Sequence, residues 1–285
     1  MSMKKIIGLF IITVAAMTFV SCDPVENREV LKGATTMDKI NQLVRVEQET
    51  RDGKRSNYFS FYCEGLDALS SFQYGIGRYV GTKAEGVKCF VVPGDVEILF
   101  TALNSDGTKL QRTFTFTVDE CFDVEPEWEL FCGTGSKTWT WDDGVDAPYG
   151  MGDALWSDEA DWWAPDISDN IEGPGATMTF AANGSTLTKN KTDGSVEQGV
   201  FSFNMDEQHD DYSRSLGELT TSIPVLAGQT TGEDTGNGPD GKDVKVYEIL
   251  TLTEGNMMLS WLEPDETPDT DGWGQATLWF FKAVE

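Results

Sequence analysis

Tryptophan and acidic residues are concentrated in residues 141–172, where the sequence shows no regular strand pattern. Eight of the nine tryptophans lie after residue 132. Between Lys137 and Lys189 the chain has ten acidic residues and no basic one. Indole rings present a flat, electron-rich face to the C–H side of a sugar, and carboxylates accept hydrogen bonds from its hydroxyls. This composition predicts a binding site for a neutral polysaccharide, because an acidic one would be repelled.

Three tryptophans of this segment are the main candidates for contacts with a ligand. Trp156, Trp162 and Trp163 lie among Gly, Pro and Asp residues in a long irregular loop. A large apolar ring in such a loop is explained by a binding surface. The alternative is a loop that folds back as a hydrophobic plug over the mouth of a barrel. The predicted ligand-binding residues are Trp156, Trp162, Trp163, Tyr149, Trp273, Asp161 and Asp166.

The carboxylates of the same segment suggest two other chemistries. Calcium takes six to eight oxygen ligands, and its candidate ligands are Asp142, Asp143, Asp146 and Asp153, whose order differs from that of an EF-hand. No other cofactor is predicted. A glycosidase needs two carboxylates about 5–10 Å apart, but no pair is marked by its sequence context. The sequence therefore predicts a non-catalytic protein, and a small glycoside hydrolase is the alternative.

Charge and histidine content exclude several functional classes. The chain has 21 basic and 48 acidic residues, a formal net charge of −27. This charge repels nucleic acids and anionic membrane surfaces. The single histidine, His209, lies in an acidic run and is predicted to be a solvated residue with a raised pKa. A zinc site rich in histidine cannot be formed.

The N-terminal residues predict export and a lipid anchor. Residues 1–21 have a basic start and an apolar run at 6–20, shorter than the ~20 residues of a membrane-spanning helix. The motif Phe19-Val20-Ser21-Cys22 resembles the lipobox of bacterial lipoproteins, although Phe19 replaces the usual leucine. The resemblance implies that Cys22 becomes the lipid-modified first residue. Residues 22–37 then form a tether.

Four further cysteines lie beyond the anchor, namely Cys63, Cys89, Cys121 and Cys132. Export permits disulfides, and one interpretation pairs Cys63 with Cys89 and Cys121 with Cys132. The other interpretation is four buried free thiols. Their spacing does not match a CxxC metal or redox motif.

The elements that must position the tryptophans are strands, so an all-β fold is expected. In residues 38–120, short alternating runs separated by turns indicate an immunoglobulin-like sandwich. Residues 92–98, then 102–107 and a closing strand, resemble a PKD-type Ig-like domain. Residues 72–77 lack the aspartate of the Gly-Asp-Gly turn of that family. The resemblance implies a spacer without an active site.

A linker at residues 121–132 is expected to lead to a second domain at 133–285. Eight candidate strands there predict an antiparallel eight-stranded barrel or sandwich, with Trp139, Trp261 and Trp279 in its core. Residues 177–184, 199–203 and 247–253 resemble the lipocalin-like domains of exported Bacteroidetes-type lipoproteins.

The whole layout resembles the surface glycan-binding lipoproteins of Bacteroidetes-type polysaccharide-utilisation systems. The resemblance implies a protein anchored by lipid in the outer membrane and exposed at the cell surface. It implies a neutral polysaccharide or oligosaccharide as ligand and an outer-membrane transporter complex as a further partner. A structural outer-membrane lipoprotein that uses the same aromatic residues to bind a protein partner is the second alternative.

Overall fold

Alternating polar and apolar residues form antiparallel strands through most of the described chain. The computed structural model describes residues 34–153, 155–169, 172–206, 214–226, 244–262 and 274–284. These residues confirm the predicted all-β class. Within these ranges, no helix has both the length and the apolar character needed to cross a membrane. The predicted export signal, Cys22, most of the tether, His209 and Trp273 lie outside the described residues.

Two antiparallel sheets form an N-terminal sandwich. Helix α1 (Met37–Leu43) leads into it and buries Ile40. The first sheet has the order β1-β2-β5 and the second β4-β3-β6-β7. The strands are β1 (Arg45–Arg51), β2 (Lys54–Tyr62), β3 (Leu69–Tyr74), β4 (Gly77–Val80), β5 (Lys83–Lys88), β6 (Gly94–Leu103) and β7 (Lys109–Val118).

The sandwich has one core between its two sheets. Phe61 of β2 stacks on Phe72 of β3 with ring centroids 4.6 Å apart, and Phe72 contacts Phe100 of β6 at 4.9 Å. All three rings are fully buried, and their alternate positions along the strands give each sheet its apolar face. The assignment of this sandwich to the PKD type stays a prediction.

Eight later strands close into an antiparallel barrel, which confirms the predicted barrel. The ring order is β8-β10-β11-β12-β13-β14-β15-β16, and β16 pairs with both β15 and β8. Its strands are β8 (Ser136–Trp141), β10 (Thr177–Ala181), β11 (Thr186–Asn190), β12 (Val196–Asn204), β13 (Gly217–Thr221), β14 (Val246–Leu252), β15 (Asn256–Leu262) and β16 (Gln275–Ala283). A ninth strand, β9 (Tyr149–Asp153), pairs with the first half of β16.

Large aromatic side chains fill the barrel. Trp139, Trp141 and Trp279 are buried in one hydrophobic cluster with Phe281, while Trp261 is half-buried against it. Inward-facing residues alternate along β16, so a barrel of this size is closed by side chains. Trp139 and Trp279 therefore occupy the core positions that their strand patterns predict.

Part of the segment that was expected to be a linker is a helix of the barrel. Helix α2 (Glu127–Cys132) buries Phe131 and Cys132 completely. The Phe131 ring lies 5.5 Å from Phe180, and its carbonyl accepts a hydrogen bond from the Trp139 indole at 3.1 Å. The apolar residues of this short stretch are buried because they cover one end of the barrel core, so the linker prediction is corrected from Glu127 onward.

All four described cysteines are free thiols. Cys63 and Cys89 are buried in the sandwich core, and Cys121 packs at its margin. Cys132 lies in the barrel core, so the interpretation that pairs it with Cys121 is wrong. Burial raises the pKa of Cys132 to about 12 and that of Cys121 to about 11.

These thiols are expected to resist alkylation in the folded protein. Iodoacetamide reacts with the thiolate, and raised pKa values keep all four residues protonated near pH 8. Mass spectrometry of the chain from residue 23 should show slow labelling, first at half-buried Cys121. Unfolding without a reductant should then expose four reactive thiols. Two missing labels after that step would reveal a disulfide and contradict the free-thiol structure.

Candidate functional site

The tryptophan-rich segment is an insertion between β8 and β10 that packs on the outside of the barrel. Ala147 and Ala160 of the insertion share an apolar cluster with Leu278 and Phe280 of β16. Trp279, which lies between them in the strand, points into the barrel core instead. Because side chains alternate across a strand, the insertion covers the outer face of β16. In the described residues, these contacts place it on the flank of the barrel.

Two glycines of β9 allow the insertion to fold back closely on itself. The Met151 amide donates to the Trp163 carbonyl at 2.8 Å, and the Trp162 amide donates to the Met151 carbonyl at 3.0 Å. A Cβ atom at Gly150 would lie 2.1 Å from the Trp163 carbonyl oxygen, and one at Gly152 would lie 2.8 Å from Ser157 Oγ. Residues with side chains do not fit at these approaches.

A network of hydrogen bonds fixes the turn that carries Trp156. The Asp153 carboxylate accepts the amides of Leu155 at 2.8 Å and Trp156 at 3.2 Å. Ser157 Oγ accepts the Asp153 amide and donates to the Asp161 carboxylate, both at 2.8 Å. Ser157 therefore joins Asp153, at the start of the turn, to Asp161, at its end. The Trp156 ring projects from a backbone that these bonds fix.

An arginine from a distant part of the chain holds the same turn. Arg214 Nη1 donates to the Ser157 carbonyl at 2.9 Å, and its Nη2 lies 2.6 Å from Asp158 Oδ1. This residue comes 56 positions after Asp158. Sequence reasoning missed it because nothing in the local sequence around Arg214 indicates such a partner.

Two of the predicted tryptophans border one open cleft, which we call the tryptophan cleft. Its volume is about 490 Å³. The Trp156 side chain is 72% exposed and that of Trp162 is 43% exposed, the two most exposed tryptophans of the described chain. The lining residues are Asp153, Trp156, Ser157, Asp158, Glu159, Asp161 and Trp162. The structure thus brings together the predicted residues Trp156, Trp162 and Asp161 and adds four polar neighbours.

Three other predicted ligand-binding residues do not line this cleft. Trp163 is half-buried and meets the Tyr149 ring edge-on at 5.6 Å. Tyr149 is only 5% exposed and packs against Trp279 in the barrel core, where burial raises its pKa to about 12. Asp166 accepts the Ser168 amide at 2.8 Å, a hydrogen bond that lowers the pKa of its carboxyl. Tyr149 belongs to the core cluster of the barrel and Trp163 packs against it, so both rings support the insertion from beneath.

The four calcium candidates are dispersed and already engaged. Asp142 accepts the Gly144 amide and the Asn256 side chain. Asp143 forms an ion pair with Lys282, which lowers the pKa of its carboxyl. Asp146 is exposed and Asp153 holds the amides of its own turn. Among the residues with described positions, no group of three or more acidic, histidine or cysteine residues is arranged to hold a metal ion.

A buried ion pair fixes the other end of the insertion. Glu172 Oε1 lies 2.6 Å from Lys189 Nζ on β11, with side chains only 1% and 3% exposed. A second carboxylate, Glu197, lies 3.0 Å from the same nitrogen. Lys189 shares the inward face of β11 with the core residue Leu187. The insertion is therefore anchored to the barrel by the ion pair of Glu172 with Lys189, whose side chain faces the interior of the barrel.

No protein-family model matches this chain, and no curated protein matches it in sequence. The geometry of the tryptophan cleft is therefore the basis for a functional proposal.

Proposed function

We propose that this chain is a non-catalytic lipoprotein of the cell surface that binds a neutral polysaccharide through Trp156 and Trp162. One observation carries the proposal: two exposed indole rings border the same cleft of about 490 Å³. Large exposed apolar rings that border one cleft are typical of a surface that binds a ligand. A sugar ring offers the flat C–H face that an indole binds.

The polar residues of the tryptophan cleft support the same class of ligand. Asp158, Glu159 and Asp161 surround the two rings, and ionised carboxylates only accept hydrogen bonds. Sugar hydroxyls are suitable donors for them. Arg214 is already bonded to Asp158 and to the turn, so it offers little attraction to an acidic polysaccharide, and the net charge of −27 repels one.

Binding is favoured over hydrolysis by the roles of two carboxylates. A glycosidase would use two of the acidic residues of the cleft, one as a proton donor. The Asp153 carboxylate instead accepts two backbone amides of its turn, and Asp161 accepts the Ser157 hydroxyl. These bonds give both residues a structural purpose. The small glycoside hydrolase remains the alternative that the experiment below separates.

The rest of the chain suits a display role at the outer membrane. In this proposal, acyl chains on Cys22 anchor the protein, the sandwich acts as a PKD-type Ig-like spacer, and a lipocalin-like barrel presents the cleft near a glycan transporter. Weak binding at each cleft is sufficient, because many anchored copies can hold one polysaccharide chain.

The proposal is tested by affinity electrophoresis and calorimetry of the chain from residue 23 with neutral glucans, mannans and xylans. Retardation by one class is expected. The Trp156→Ala/Trp162→Ala variant should bind this polysaccharide about tenfold more weakly, since each stacking contact contributes about 0.5–1.5 kcal/mol. Val246→Ala is the matched control, because it removes an exposed apolar side chain that does not line the tryptophan cleft.

Two outcomes would reject this proposal. Release of shorter sugars from the bound polysaccharide would establish the hydrolase. Absence of retardation by every polysaccharide, together with copurification of an outer-membrane protein that depends on Trp156 and Trp162, would establish the protein-binding lipoprotein.

A further inference from the structure

A second cleft lies between the sandwich and the barrel, and we call it the interdomain groove. Its volume is about 740 Å³. The two units meet beside it, where the Gly184 amide donates to the Gly75 carbonyl at 2.5 Å. Clefts between packed units are common places for ligands. The residues of this groove that matter below are Gln73, Tyr74, Trp128, Ser202, Phe203 and Asn204.

Aromatic rings from both units line the interdomain groove. Trp128 of α2 is half-buried and packs on Phe203 of β12 with ring centroids 5.0 Å apart. Across the groove, Tyr74 of β3 is half-buried and stacks on the core residue Phe61 at 5.6 Å. Trp128 and Tyr74 each pack against another aromatic ring, so the groove has an apolar wall on each side.

The polar residues that line the interdomain groove are either uncharged or nearly equal in positive and negative charge. Gln73, Ser202 and Asn204 bring two amides and a hydroxyl to its exposed rim. The charged lining residues are Arg78, Lys88, Glu125, Glu127 and Asp206, two basic and three acidic, and Lys88 is paired with Glu125. In a chain with a net charge of −27, this groove is close to neutral. It fits a ligand with apolar faces, hydroxyl groups and no net charge.

The two clefts share no lining residue. The tryptophan cleft belongs to the insertion on β9, which is bonded to β16, and the interdomain groove lies on β12. In the closed ring, β12 is four strands from β16 in either direction.

We propose that the interdomain groove is a second binding site for the same class of neutral polysaccharide, so that one molecule holds two separate chains. This inference deepens the proposed function and rests on it. Because no residue lines both clefts, they are two separate cavities. Each site should therefore bind its own copy.

The test is calorimetry of the chain from residue 23 with cellohexaose, mannohexaose and xylohexaose. Two equivalents of one hexasaccharide are expected. Ser202→Tyr places a ring in the groove and should leave one equivalent. Gln198→Tyr is the matched control, because Gln198 is exposed on the same strand and face but does not line the groove, and it should keep two. Gln73→Ala, on the opposite wall, should weaken the groove site about tenfold, a loss of about 1.4 kcal/mol.

The outcomes separate this inference from the proposed function. Two equivalents retained in Ser202→Tyr, together with unchanged affinities in Gln73→Ala, would overturn the second site. Two equivalents with unchanged affinities in Trp156→Ala/Trp162→Ala, with one lost in Ser202→Tyr, would instead overturn the first site. Thermal unfolding of each variant confirms that its barrel is intact, and Gln73→Ala keeps the test valid if Ser202→Tyr fails to fold.

Discussion

Lys189→Met is expected to lower the free energy of unfolding by about 3–5 kcal/mol, the usual cost of leaving one charge of a buried pair without its partner. Glu172 is 1% exposed, and Lys189 lies 2.6 Å from it inside the barrel. The methionine fills a similar volume, so the loss comes from removing the ammonium group beside the buried carboxylate and not from a cavity. Urea denaturation, monitored by tryptophan fluorescence, measures the change.

A neighbouring lysine provides the control for this substitution. Lys191 forms an ion pair with Glu197 at 2.5 Å, but both side chains are partly exposed. Lys191→Met should therefore change the free energy of unfolding by less than about 1 kcal/mol. The double variant Lys189→Met/Glu172→Leu should recover most of the loss, because it removes both charges. Equal effects of Lys189→Met and Lys191→Met would show that the Glu172 pair is not buried in solution.

Gly150→Ala is expected to destabilise the chain by about 1–3 kcal/mol, as overpacking does, and to abolish binding at the tryptophan cleft. The added Cβ atom would lie 2.1 Å from the Trp163 carbonyl oxygen and 2.5 Å from the Ala160 side chain. The loop must therefore move off β9. This movement breaks the Met151–Trp163 hydrogen bond and displaces Trp162, the residue before Trp163.

Gly135→Ala is the matched control, since no atom beyond its own chain neighbours lies within 4 Å of its added Cβ position. It should change neither stability nor polysaccharide affinity by a measurable amount. Calorimetry measures the polysaccharide affinity of both variants, and urea denaturation measures their free energy of unfolding. If Gly150→Ala binds as tightly as the parent, then the close approach of the loop to β9 does not position the cleft.

The barrel and most of its core could be predicted from local sequence. Strand patterns identify Trp139 and Trp279 as buried because polar and apolar residues alternate around them, and both are fully buried. Turn residues such as Asn183-Gly184 mark the ends of the strands. These are short-range properties, and they determine which side of a strand each residue occupies.

The site was predicted less completely because long-range contacts form it. The composition of the insertion indicates exposed tryptophans, but it does not distinguish Trp162 from its neighbour Trp163. That difference arises from the backbone bonds to Met151 and from the ring of Tyr149. Tyr149 itself is buried because β9 adds to β16, a pairing across more than a hundred residues that no local pattern reveals.

The last strand of the barrel also governs when the protein can fold. β16 bonds to three strands, and the pairing of Phe281 with Trp141 closes the ring. Until residues 275–283 have left the ribosome, β8 and β15 present open edges, which are templates for aggregation. Ring closure between positions so far apart is also slow. The barrel can therefore close only after residues 275–283 have emerged, because they form the strand that joins β8 to β15.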